Sequence, residues 1–274
     1  MRALDNLFCN EYGSSGPFVI VLHGGPAATG NAGLLARDLA DSFRVIEPYQ
    51  RGSGDTPLSV AQHVSDLHDI VTKKTGEGKL ALAGESWGAM LALAYAATYP
   101  DSVGPLALIG CGTFDKVARA KINEILESRM DERMRFELKE IETPARSPSE
   151  RLKRRYELIT GLYDYAPIEN REGGDKTLDT FDVRAHTETW DDMLRLQAEG
   201  VYPAAFSAIH SPVLMLHGSY DPHPGTMIRD SLLPYIPHLE YHEWAKRGHR
   251  PWIERYVRND FLKILKDWLT LHCK

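Results

Sequence analysis

Apolar positions along this chain fall into two alternating rhythms. Pro17 to Leu22 reads P-F-V-I-V-L, a short β-branched run of the kind buried on both faces of a sheet. Asn31 to Ala40 follows with Leu34, Leu35 and Leu39 at helical spacing. Phe43 to Ile46 is again strand-like, and Val60 to Lys74 carries Val60, Val64, Leu67 and Val71 on one helical face. Lys79 to Ala83 predicts a strand, Ser86 to Tyr99 a helix closed by Pro100, and Val103 to Ile109 another strand. This alternation predicts an α/β fold, a mostly parallel central sheet flanked by helices on both faces. In such sheets the working groups sit in loops at the carboxyl ends of the strands.

The rhythm stops near Phe114. Residues 114–141 read as one long amphipathic helix, with Phe114, Val117, Ile122, Ile125, Leu126, Met134, Leu138 and Ile141 three or four apart. A second helix is predicted over 149–163, on Leu152, Tyr156, Ile159 and Tyr163, and a third over Thr187 to Gln197. Between these two lies a loop, 166–180, with Gly173-Gly174. Alternation resumes with a strand at Pro212 to Leu216, a helix at Gly225 to Tyr235, a strand at Leu239 to Glu243 and a helix at Pro251 to Leu271. The expected organisation is a core domain of residues 1–113 and 207–274 with a helical cap, 114–206, inserted into it. The dense Lys, Arg and Glu of the first two cap helices read as a solvated face.

Composition narrows the classes. The 274 residues are 43% hydrophobic and 26% charged, an ordinary globular balance for a chain long enough to fold without a staple. The net charge of −6 is mixed in sign along the chain, with no basic stripe for a nucleic acid. Cys9, Cys111 and Cys273 lack metal-ligand spacing and read as reduced thiols of a cytoplasmic protein. The first residues show no signal-peptide core, and the longest apolar run, Trp87 to Tyr99, is too short to span a membrane. No dinucleotide fingerprint, P-loop or H-E-x-x-H occurs, so neither cofactor nor metal is expected. Oligomeric state is left open.

Chemistry concentrates in four runs. Gly84-Glu85-Ser86-Trp87-Gly88 matches G-x-S-x-G between a strand-like and a helix-like segment. That context is the nucleophile elbow, in which Ser86 is exposed on a sharp turn and the flanking glycines leave room. His23-Gly24-Gly25-Pro26 follows the first clear strand. Acyl transfer needs two backbone donors for its oxyanion, here expected from Gly25 and Trp87. His23 itself reads as a structural loop histidine. Asp221 follows the strand at 212–216, and His249 lies between the last strand and the last helix. Nucleophile, acid, histidine is the chain order of this kind of triad, with His249 as base and Asp221 fixing its tautomer. Asp115, after the strand at 103–109, is the alternative acid, and nearby Cys111 reads as a small buried residue.

Together these runs resemble the α/β-hydrolase superfamily, and within it the branch of proline iminopeptidases. The narrower resemblance rests on His23-Gly24-Gly25-Pro26, on Gln50-Arg51-Gly52-Ser53-Gly54, and on Glu85-Ser86-Trp87-Gly88 leading into Leu91-Ala92-Leu93-Ala94-Tyr95. It implies an α/β-hydrolase fold with a helical cap, Ser86 as nucleophile, and Asp221 and His249 as its partners. The chain departs from the iminopeptidase pattern where Ala27 and Ala28 follow Pro26, and where Glu85 replaces a glycine before the serine. The resemblance also implies cap carboxylates that hold a substrate's amino terminus, for which Glu169, Glu172 and Glu188 are available. Trp190 and Met193 are candidates for an apolar roof over the pocket. The expected function is a serine hydrolase cleaving a small ester or amide through an acyl-enzyme. An iminopeptidase-like aminopeptidase acting on short peptides and a non-catalytic small-ligand receptor are the alternatives. Dehalogenase and epoxide-hydrolase chemistry, which needs Asp at the elbow, is disfavoured by Ser86.

Overall fold

The computed structural model describes residues 7–26, 32–75, 79–143, 146–168 and 182–273. Their framework is a seven-stranded sheet ordered β1-β3-β2-β4-β5-β6-β7. The strands are β1 (Cys9–Tyr12), β2 (Phe18–Leu22), β3 (Arg44–Pro48), β4 (Leu80–Glu85), β5 (Val103–Ile109), β6 (Val213–Gly218) and β7 (Glu240–Trp244). Six run parallel, and β1 pairs antiparallel with β3 at one edge.

Side-chain alternation explains how the sheet becomes a central layer. In β2, Ile20 and Leu22 point into one apolar cluster while Val19 and Val21 point into the other. The first cluster holds helices α2 (Val60–Thr75), α3 (Trp87–Thr98) and α8 (Gly225–Leu232). The second holds α1 (Gly33–Leu39) and α9 (Arg258–His272). Both faces of the sheet are thus covered, which is why its strands read as continuous apolar runs.

Four further helices connect β5 to β6: α4 (Lys116–Arg129), α5 (Glu132–Ile141), α6 (Pro148–Thr160) and α7 (Val183–Ala198). The single helix expected over 114–141 is two. Met130 is extended, and the Asp131 carboxylate accepts from the Met134 N–H at 2.8 Å to start α5. The third helix begins at Val183 rather than Thr187, because Asp182 caps it through the Ala185 N–H. The last expected helix divides into a short 3₁₀ turn, Pro251–Ile253, and α9. Among the described residues no helix is long and apolar enough to cross a membrane.

Candidate active site

The site begins with backbone geometry at the end of β4. Ser86 has φ 54° and ψ −114°, a conformation that costs a non-glycine residue about 1–3 kcal/mol. The turn is held from both sides. The Ser86 N–H donates to the Ile109 carbonyl at 2.8 Å, and the Ser86 carbonyl accepts from Ala89 and Met90 as α3 begins. Gly84 and Gly88 are required by close approach: a Cβ on Gly84 would lie 2.3 Å from the Gly88 oxygen, and one on Gly88 would lie 2.2 Å from the Leu22 oxygen. Ten of the twelve residues of α3 are buried, so the helix behind the serine is fixed in the core.

The loops after β2 and β3 meet the elbow through a relay of hydrogen bonds. Trp87 Nε1 donates to Gln50 Oε1 at 2.7 Å. The Gln50 backbone N–H donates to His23 Nε2, and Gln50 Nε2 donates to the His23 carbonyl, each at 3.2 Å. His23 Nε2 therefore carries the lone pair, and Nδ1–H donates to the Gly24 carbonyl at 3.1 Å. Burial pushes His23 down to about 4, so it stays neutral. The sequence made His23, the Gln-Arg-Gly loop and Trp87 prominent separately; their contact sets the spacing between the Gly25 loop and the first turn of α3. Gly25 itself has φ 59° and lines the cavity beside Ser86.

Opposite the serine, three imidazoles surround one fully buried carboxylate. His249 Nδ1 donates to Asp221 Oδ2 at 2.6 Å, and His217 Nε2 approaches the same oxygen at 3.1 Å. Asp221 Oδ1 accepts from the His223 backbone N–H at 2.9 Å and lies 3.0 Å from His223 Nδ1. Burial would raise Asp221, but the charges of His249, His223 and His217 outweigh it and hold the carboxyl well below its usual range. Burial also lowers His249, against the opposing pull of Asp221 and with the help of its two histidine neighbours. A neutral imidazole whose Nδ1 proton is fixed presents its Nε2 lone pair, the state a general base needs.

His223 stacks on His249 with ring centroids 4.7 Å apart, and Tyr163 meets His249 edge-on at 5.5 Å. Neither residue was expected in a functional role. Asp221, His223 and His249 offer ligand atoms within 4.8 Å of one another, a donor set that could hold a metal ion. The 2.6 Å hydrogen bond between Asp221 and His249 engages two of those three side chains with each other.

The histidine loop is anchored by a residue that sequence reasoning overlooked. Glu254, fully buried, accepts from the N–H groups of Gly248 (3.0 Å), Tyr165 (2.6 Å) and Ala166 (2.7 Å). The His249 N–H donates to the Tyr163 carbonyl at 2.8 Å, and Arg250 pairs with Asp164. The loop is thereby fastened to the chain that leaves α6. An acidic residue in an apparent helix start gave no signal of this role.

Ser86 and His249 share the wall of a cavity of about 240 Å³, with Gly24, Gly25, Glu85, Trp190 and a row from α6. Trp190 packs edge-on against Trp87 at 5.8 Å. Glu85 sits in the same wall and accepts from the Gly24 N–H at 3.2 Å. Glu188, expected at the substrate, is engaged elsewhere: it accepts from the Leu58 N–H at 2.8 Å and from Arg184 at 2.7 Å, and it does not line the cavity. Its position on α7 turns it toward the start of α2, not toward Ser86. Met193 is buried in the main core rather than in the roof. Asp115, the alternative acid, caps α4 through the Ala118 N–H. Cys111 is buried, and burial pushes its thiol up, away from reactivity. Glu169, Glu172 and the Gly173-Gly174 loop lie outside the described residues.

Strand order, elbow and Asp–His pair together define a class, and the comparisons with known proteins give the same one. The family described as alpha/beta hydrolase fold matches residues 17–249, and the chain belongs to that family. It is similar to the proline iminopeptidase of Neisseria gonorrhoeae, 36% identical over 115 residues, spanning 39% of this chain and 37% of the relative. The chain thus covers little more than a third of that relative's length. It is also similar to the 2-hydroxy-6-oxononadienedioate/2-hydroxy-6-oxononatrienedioate hydrolase of Cupriavidus pinatubonensis, 26% identical over 96% of this chain and 90% of the relative. A solved thermophilic esterase from Thermogutta terrifontis shares the fold with TM-score 0.62 at 20% identity, over 96% of this chain and 92% of that one.

Proposed function

We propose that this protein is a serine hydrolase that cleaves small esters or amides through an acyl-enzyme. The observation that carries the reading is the meeting of a positive-φ serine and a neutral, Asp221-bound histidine in the wall of one cavity. His249 Nε2 takes the Ser86 proton as Oγ attacks the substrate carbonyl. The resulting oxyanion is met by the backbone N–H groups of Gly25 and Trp87. His249 then passes the proton to the leaving group, and water repeats the sequence to release the acid. Asp221 stays ionised throughout and stabilises the imidazolium. Helices α4 to α7 act as a cap, with Trp190, Tyr156 and Tyr163 shaping the cavity. Three free cysteines support a cytoplasmic setting.

The test is labelling by a fluorophosphonate. The wild-type protein is expected to label, and Ser86→Ala, folded by circular dichroism, is not. A folded wild type that does not label overturns the reading in favour of a small-ligand receptor. An aminopeptidase reading is favoured by one specific observation, the Glu85 carboxylate in the cavity wall, together with the iminopeptidase similarity over 115 residues. Turnover of a prolyl arylamide above that of p-nitrophenyl esters would select it.

A further inference from the structure

Helix α6 serves two cavities. Leu152, Tyr156, Ile159 and Thr160 face the cavity that contains Ser86. A second cleft, of about 490 Å³, lies among α4, α5 and α6. Arg155 and Ile159, one helical turn apart, line both. The second cleft has an apolar floor of Leu126, Met130 and Leu138, and Arg135, Lys139 and Arg155 stand around it. Glu127 is the acidic residue in that lining. Arg135 Nη2 donates to the Glu127 backbone carbonyl at 3.1 Å. Arg155 has Glu142 at 3.7 Å, an exposed pair of small worth. Three cations thus stand among apolar residues in one cleft, which shares Arg155 and Ile159 with the Ser86 cavity.

We propose that this cleft is a subsite for the far end of the substrate, and that this end is a carboxylate on an aliphatic chain. The methylenes lie along Leu126, Met130 and Leu138, and the carboxylate meets Arg135, Lys139 and Arg155. Ile159 and Arg155 form the junction through which the chain passes from the scissile bond. This assignment rests on the reading of Ser86 as nucleophile. It gives the cap a polarity opposite to the one needed to hold a free amino terminus.

The experiment compares kcat/KM for p-nitrophenyl acetate, p-nitrophenyl octanoate and the mono-p-nitrophenyl ester of suberic acid. The last two match in length and differ by a terminal carboxylate. Wild type is expected to prefer the suberate ester over the octanoate by about tenfold at low salt, the gain of one or two charge-assisted hydrogen bonds. Arg135→Met with Lys139→Met is expected to erase that preference, measured as the ratio of the two. Ile159→Trp is expected to lower both eight-carbon esters relative to acetate. A suberate ester no better than octanoate, or a preference that survives the double substitution, overturns the proposal. Failure to turn over any ester speaks instead against the hydrolase reading. The subsite is then read by titrating monoethyl suberate into the Ser86→Ala protein: about tenfold weaker binding in the double variant supports it, and no binding or no change overturns it.

Discussion

Helix α3 begins at Ser86 and helix α6 lines the cavity that Ser86 opens into, and the two are built on opposite principles. Nearly every side chain of α3 is buried, and its elbow meets β2 at backbone-to-backbone distance. None of the residues of α6 is fully buried, and its hold is a capping box at Ser147 and Glu150 plus lateral contacts. The first element fixes the position of Ser86, because any shift must move the sheet. On the proposed reading the second would decide what reaches it, because its side chains can change without disturbing the core.

That contrast can be broken or sharpened by substitution. The largest effect is expected from Gly88→Ala, whose new Cβ would meet the Leu22 carbonyl at 2.2 Å. Moving β2 backbone should cost about 3 kcal/mol or more, read as a lower urea midpoint. Glu254→Gln keeps the shape but sets a donor among three N–H groups that need an acceptor. A stability loss of about 2 kcal/mol is expected, with kcat falling and KM little changed. Next is the pH profile of kcat/KM. Because burial and its histidine neighbours lower His249, the acid limb should lie below the ordinary histidine value and the rate should be level above it. His223→Asn removes the lowering influence of that neighbour, so the limb should move up. The smallest effect belongs to Arg154→Ala on the exposed face of α6, within about 0.5 kcal/mol in chemical denaturation. A large loss there would mean that α6 is as structural as α3.

The sequence carried the elements whose signal is local. β2, β4 and β5 were legible because burial on both faces forces continuous apolar runs, and Ser86 because its turn demands Gly84 and Gly88 at fixed offsets. β1 was not, since C-N-E-Y has no apolar run; it is an edge strand whose register is set by Pro48 to Val45 across the sheet. The break between α4 and α5 has no Gly or Pro to mark it, only the Asp131 cap. Contacts between distant segments were invisible for the same reason. Nothing within Pro251 to Glu254 says that its carboxylate will meet Tyr165, 89 residues away. Glu188 shows the converse: an acid in a suitable region of sequence, engaged by the Leu58 N–H and Arg184.

The fastening of the His249 loop to the chain leaving α6 has a consequence for substrate entry. Tyr163 holds the His249 backbone, Glu254 holds Tyr165 and Ala166, and Asp164 holds Arg250. Lifting α6 far enough to admit a bulky molecule would drag on the very backbone that aims the imidazole. On the proposed reading, the aim of His249 and the seating of α6 are then one property. Ser86 would meet a correctly aimed base only with substrates that leave α6 seated.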